Sequence, residues 1–255
     1  MHRVWCHPAA VVTVILLTAV AVTTGTGTLS TINSVKVLKN PDYHRVDGKF
    51  QDCAELYKHN YTEPGIYVIY PQNYRTKVQC QNGFTIVQQR IKGKVNFQVG
   101  WKSYRNGFGS PSGDFWAGLQ TIHNLVGAGN TKLLITLQDW NGFTGFALYN
   151  YFSIGPESDR YRLSVAGFSG SVTDDFSYHN GMIFATWDKS DYNGCAINQR
   201  AGWWYNYCAY ALLNGKYYNG GYYPPPGQFF DGMYWKDWFG YNYSLRYISM
   251  ALMSG

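Results

Sequence analysis

Residues 203–247 hold eleven tyrosines, four tryptophans and three phenylalanines with little periodicity. No other feature constrains the fold of this chain as strongly. Glycine and proline punctuate the run, as in Tyr222-Tyr223-Pro224-Pro225-Pro226-Gly227, so it continues neither as one helix nor as one strand. It is too aromatic for a linker. It reads as an irregular, packed lobe built of loops, and loops on a rigid scaffold are where binding residues gather. Tyrosine, with a flat apolar face and a hydroxyl, suits such surfaces.

The scaffold lies upstream. Gly65 to Tyr70, Phe84 to Gln89, Leu133 to Leu137, Gly145 to Ile154 and Tyr161 to Val165 read as strands, and their short spacing suggests an antiparallel sheet. Asp114 to Val126 reads as a helix with Phe115, Leu119, Ile122 and Val126 on one face and Ser112 or Asp114 near the cap. Charged residues are 14% and aromatics 18% of the 255 residues, which excludes a disordered chain. The net charge of +6 is scattered with no Lys/Arg run, so no basic stripe for nucleic acid is present.

Residues 1–24 read as an export signal. Arg3 precedes an apolar run from Ala9 to Val22, too short for a comfortable membrane span, and Ala19-Val20-Ala21 offers a cleavage site. Residues 25–49 form a short polar leader with one apolar patch, Val35 to Leu38, and neither heptads nor a collagen repeat. A homo-oligomer would therefore form through the globular domain, over 50–255, or through a partner. Cys6 leaves with the signal, and Cys53, Cys80, Cys195 and Cys208 remain. An even count in an exported chain reads as two disulfides, and of the three pairings the one joining sequence neighbours is preferred. Asn60-Tyr61-Thr62 and Asn242-Tyr243-Ser244 are glycosylation sequons. Asn60 is expected to carry a glycan and Asn242 to be bare.

Catalytic signatures are missing. Gly167-Phe168-Ser169-Gly170 falls short of a nucleophile elbow and reads as a turn. Gly107-Phe108-Gly109 with Gly113 misses dinucleotide spacing. His44, His59, His123 and His179 fall in different elements. The reading is therefore not an enzyme. One stretch, Thr186 to Gly194, offers Asp188, Asp191 and Asn193 on a glycine-ended loop, the oxygen donors with which a calcium site begins.

Several ordered motifs resemble those of fibrinogen C-terminal domains. They are Asp52-Cys53-Ala54-Glu55-Leu56-Tyr57, Phe84 to Arg90 followed by Val95-Asn96-Phe97, and Trp101-x-x-Tyr104-x-x-Gly107-Phe108-Gly109 with Gly113-Asp114-Phe115-Trp116-x-Gly118. Asn193-Gly194-Cys195-Ala196, Gly202-Trp203-Trp204-Tyr205, Leu213-Asn214-Gly215 and Tyr241-x-Tyr243-Ser244-Leu245 complete the likeness, over roughly residues 50–252. Ile69-Tyr70-Pro71, Ala117 to Gln120 and Val165 to Phe168 look most like the microfibril-associated glycoproteins, with ficolins and tachylectins next.

The resemblance implies an α+β fold: a small N-terminal subdomain, a central antiparallel sheet with helices, and an irregular C-terminal binding lobe. It implies disulfides Cys53–Cys80 and Cys195–Cys208, a cis bond at Tyr207-Cys208, and a ligand site including Tyr207, Cys208, Phe229, Phe230 and Tyr241. It also implies calcium at Asp188 and at Ser190, where the family carries a second Asp; Asp191 is the substitute after a register shift. The loop to Cys195 is shortened, Ala209 stands where lectin members carry His, and Gln199 stands where an aromatic lines their pocket. The hairpin after the first disulfide is cut to Gln81-Asn82-Gly83. The expected function is secreted, lectin-like binding of acetylated glycans such as those bearing N-acetylglucosamine, in innate defence. The alternative is binding to extracellular-matrix proteins or a receptor.

Overall fold

The computed structural model describes residues 42–255; the expected export signal and the apolar patch at 35–38 lie outside the described residues. Asp52 starts the first helix, accepting the Glu55 N–H at 2.7 Å to cap α1 (Cys53–Lys58). Its other oxygen takes the buried Asn130 amide, also at 2.7 Å. Strands β1 (Gly65–Ile69), β2 (Thr76–Gln81) and β3 (Phe84–Arg90) follow as an antiparallel meander. The shortened β2–β3 hairpin turns on Asn82 and Gly83, both at positive φ (51° and 80°), as a two-residue type I′ turn requires. Ordered contacts begin before residue 50. The His44 N–H donates to the Ile66 carbonyl at 2.8 Å, and the His44 ring stacks on Tyr67.

Helix α2 (Trp101–Asn106) leads through two short strands, β4 (Phe108–Gly109) and β5 (Phe115–Trp116), to α3 (Leu119–Gly127). The helix expected from Asp114 therefore starts later. Phe115 and Trp116 pair with β3 and β4, and Gly118 precedes α3 without a side-chain cap. Asp114 works at a distance, accepting the N–H groups of Ile91, Lys92 and Lys94 at 2.6, 3.0 and 2.7 Å. Burial alone would raise its pKa; these donors outweigh burial and lower it. Gly107 and Gly118 let the two segments touch, since a Cβ on Gly107 would sit 2.7 Å from the Ala117 carbonyl oxygen.

Strands β6 (Lys132–Gln138), β7 (Thr144–Ile154) and β8 (Leu163–Gly170) extend the sheet. Leu133, Ile135 and Leu137 alternate into the core, each contributing about 1.5–3 kcal/mol. The last expected strand starts at Leu163 rather than Tyr161, and Gly167 to Gly170 continue it instead of forming a turn. The last strand, β9 (Tyr247–Met253), lies in the middle of the sheet, whose order is β1-β2-β3-β9-β6-β7-β8. All pairs are antiparallel.

Between β8 and β9 the chain forms the aromatic lobe. Its regular structure includes α4 (Cys195–Asn198) and α5 (Lys236–Phe239). Trp203, Trp204 and Trp235 are fully buried, and the indole N–H groups of Trp204 and Trp235 donate to the carbonyls of Tyr161 and Thr173 at 2.8 and 2.9 Å. Strand β3 holds the lobe in place through two buried side chains. Gln88 Nε2 donates to the Leu213 carbonyl at 2.9 Å and Arg90 Nη1 to the Gly215 carbonyl at 2.7 Å. The disulfides join Cys53 to Cys80 and Cys195 to Cys208, with Cα–Cα distances of 5.5 and 5.1 Å.

Candidate functional site

The disulfide between Cys195 and Cys208 draws the start of α4 against the 207–210 loop. Residues 228–230, Tyr234 and Tyr241 face this pair across a cup of about 240 Å³. The five ligand-site residues expected from sequence, Tyr207, Cys208, Phe229, Phe230 and Tyr241, all line it. Tyr210, Gln228 and Tyr234 line it too, and nothing in the sequence set them apart from the rest of the aromatic run. Phe230 and Tyr241 face each other at 6.3 Å, 11° from parallel, and Tyr234 meets Tyr241 edge-on at 5.2 Å.

The bond expected to be cis, Tyr207–Cys208, is trans; no cis peptide occurs among the described residues. The loop turns by another device. Tyr207 and Cys208 both adopt positive φ, 44° and 69°, and the Asn206 N–H closes on the Cys208 carbonyl at 2.9 Å. Two consecutive side-chain-bearing residues in this region cost about 1 kcal/mol or more each. The result holds Tyr207 81% exposed on the rim.

No charged residue lines the cup. Its polar centre is Gln199, buried at 3% exposure. Its Nε2 donates to the Phe230 carbonyl at 2.9 Å and to the Tyr234 hydroxyl at 2.6 Å. The Tyr234 hydroxyl in turn donates to the Ala209 carbonyl at 3.2 Å. These partners fix the amide orientation, because a carbonyl can only accept. Gln199 Oε1 is left buried with no hydrogen-bond partner. The cup can therefore enclose an apolar group, while Gln199 Oε1, sealed beneath the surface, meets a ligand's donor only if its side chain turns outward.

The calcium residues fit the ion poorly. Asp188 Oδ1 accepts the Trp101 N–H at 2.8 Å and the Thr186 hydroxyl at 2.7 Å. Both oxygens of Asp191 are engaged by backbone N–H groups, from Asn193 and Cys195 at one oxygen and Ala196 at the other, over 2.8–3.0 Å. Ser190 Oγ donates to the Asp191 carbonyl at 3.2 Å. The carbonyls of Lys189 and Ser190 already hold a cation: Arg160 Nη2 donates to them at 2.5 and 2.9 Å. Among the described residues no three His, Cys, Asp or Glu side chains gather as a metal would need. Arg160 has no local signal in the sequence, lying 29 residues before Lys189.

The sequon asparagines both lie at the surface. Asn60 follows α1 at φ 67°, with Thr62 exposed beside it. Asn242 is exposed, but its sequon serine, Ser244, is buried and bonded to the Lys216 carbonyl.

Comparison with known proteins places this geometry. The family described as fibrinogen beta and gamma chains, C-terminal globular domain, matches residues 49–254. Human angiopoietin-related protein 6 is 39% identical over 213 residues, which cover 80% of this chain and 45% of that protein. Fibrinogen C domain-containing protein 1-A of Xenopus laevis is 36% identical, over 80% of this chain and 47% of its own. The chain thus spans about half the length of the curated relatives it matches. The fibrinogen-like globe domain of human ANGPTL2 superposes with a TM-score of 0.78 at 37% identity, covering 80% of this chain and 99% of that one. A lamprey fibrin D-dimer complexed with the peptide Gly-His-Arg-Pro-amide gives 0.77 at 33% identity, covering 81% and 74%. The angiopoietin-related branch was not singled out by the sequence motifs. By its motifs, its fold and these matches, the chain belongs to the fibrinogen C-terminal domain family.

Proposed function

We propose that this chain is a secreted, non-enzymatic recognition protein whose cup binds an extracellular-matrix or receptor partner, taking from it an apolar side chain and an adjoining amide N–H. The observation that carries this reading is the charge-free aromatic cup with one unpaired acceptor, Gln199 Oε1. A peptide segment offers that combination: a side chain for the rings and a main-chain donor for the acceptor. Two disulfides suit an oxidising compartment. Similarity to angiopoietin-related proteins, and to a lamprey fibrin fragment solved with a short peptide, supports a protein ligand over a glycan.

Acetylated-sugar binding is the second reading. Phe229 and Tyr241 both line the cup and would wall an acetyl methyl. Ala209 at the position of a lectin-type His leaves that ligand one polar contact short, worth about 1 kcal/mol. Selection of random peptides on the immobilised chain, with N-acetylglucosamine and free acetate as competitors, separates the two. Peptides with a shared apolar residue that resist both competitors are the expected outcome. Retention on an N-acetylated resin, released by acetate, with no peptide selected, overturns the protein-ligand reading in favour of the lectin.

A further inference from the structure

One residue past Gln199, Arg200 adopts φ 55° and lines a different cavity, of about 350 Å³. Arg90, Lys94 and Lys216 share its walls with Asn96 and Asn214, and no Asp or Glu lines it. Four cations on one concave surface repel one another, more strongly where protein displaces water.

Two of these cations have a carboxylate behind the wall, and the other two have none. Arg90 is 1% exposed. Its Nη1 is spent on the carbonyls of Leu213 and Gly215, its guanidinium lies 3.7 Å from the Phe97 ring centre, and its Nε has no partner. Burial lowers its pKa to about 10, so it stays protonated at neutral pH. Asp114, kept ionised by the three N–H groups described above, acts on it from a distance and partly offsets its charge. Arg200 Nη1 makes a long ion pair, at 3.9 Å, with the buried Asp231, which also accepts the Tyr218 hydroxyl at 2.9 Å. Lys94 and Lys216 make no ion pair among the described residues.

The cavity is also preformed. Gly93, at φ 61°, lies so close to Tyr217 that a Cβ would meet the ring at 2.6 Å. The Tyr217 hydroxyl fastens that ring to the carbonyls of Ile91 and Arg246 at 3.1 and 2.9 Å. A fixed concave site lined by four cations and no carboxylate, one of the cations buried, selects an anion.

We propose that this cavity binds a tetrahedral oxyanion, sulfate or phosphate, carried on a sugar-sized group. Such a group has enough oxygens to answer several cations at once, whereas a carboxylate has two. The cavity volume, within the range of small-molecule sites, exceeds a bare ion and leaves room for the carrier. The site is separate from the cup and does not depend on the cup's ligand.

The test is thermal melting and calorimetric titration of the full chain with glucosamine 6-sulfate, glucose 6-phosphate, inorganic sulfate and inorganic phosphate, against chloride at matched ionic strength. A sugar ester should raise Tm and bind more tightly than its free ion. Tighter binding of the sulfate ester identifies a sulfated glycan as the source, and tighter binding of the phosphate ester a phosphorylated one. The double variant Arg200→Gln/Lys216→Gln should weaken binding at least about tenfold, which is 1.4 kcal/mol, while Lys102→Gln, outside the cavity, should not. Asn96→Asp gives an independent check. It keeps the oxygen that accepts the Gln98 N–H at 2.9 Å and adds a negative charge to the wall, so it should lose binding without loss of fold. No rise with any of the four anions, free ions binding as tightly as their esters, or full affinity in both variants overturns the proposal.

Discussion

Gln199 Nε2 donates to the main-chain oxygen of Phe230 at 2.9 Å, across 31 residues of sequence. The bond ties the end of α4 to the opposite wall of the cup and leaves Gln199 Oε1 as its unpaired acceptor. Gln199→Leu keeps most of the volume and removes the acceptor. Ligand binding should weaken several-fold to tenfold, because one hydrogen bond is worth about 1 kcal/mol. Stability should fall by a similar amount, since the Phe230 carbonyl and Tyr234 hydroxyl lose a donor. Calorimetric titration of a selected peptide, with a melting curve, reads both.

Arg160 holds the Lys189 and Ser190 carbonyls that a calcium ion would need. The melting temperature should therefore be the same in millimolar calcium and in chelator. Arg160→Met should lower it by about 4–10 °C, as two charge-assisted bonds are lost from a partly buried site. A calcium-dependent rise in the wild type that Asp188→Ala abolishes contradicts this account of the loop.

His179 is fully buried, with Nδ1 2.7 Å from the Trp204 carbonyl and Nε2 accepting the Ala211 N–H at 3.2 Å. Only the neutral ring with its proton on Nδ1 satisfies both. Burial pushes its pKa down to about 4. The unfolded chain binds this proton first, so the histidine's stability is fully present above about pH 6.5 and is lost as pH falls toward 4, by a total of order 3 kcal/mol. Asp175 works in the opposite sense: burial raises its carboxyl to about 6, so its contribution fades as pH rises. The difference between wild type and His179→Gln in chemical denaturation from pH 7 to 4 isolates the histidine. The variant should show the shallower acid limb.

Asn60 sits at an exposed left-handed turn, with the Thr62 of its sequon exposed. Protein from a secretory host should lose one glycan mass on enzymatic deglycosylation, and Asn60→Gln should abolish the shift. A residual glycan in that variant would place modification at Asn242, beside cup residue Tyr241.

Local rules made much of the scaffold legible. The alternation of Leu133, Ile135 and Leu137 marked β6, and the spacing of the cysteines, with the family likeness, marked both disulfides. Strand β9 was missed because a central strand buried on both faces shows no alternation, and Ser249-Met250-Ala251 are weak strand formers. Asp114 looked like a helix cap because its partners, Ile91 to Lys94, are more than 19 residues away. Such long-range pairing leaves no local trace. The same holds at the site: family motifs brought out Phe229 and Tyr241, whereas the Gln199–Phe230 and Arg160–Ser190 contacts exist only in three dimensions.

The most direct test of the cup as the binding site is the affinity of Tyr241→Ala for a peptide selected on the wild type. Tyr241 is half-buried at the mouth and stacks on Phe230, so its loss removes an aromatic wall while the core beneath stays closed. The account predicts at least tenfold weaker binding, as for a central aromatic contact worth about 2 kcal/mol, with Tm lowered by only a few degrees. Unchanged affinity in a variant that melts like the wild type would contradict it.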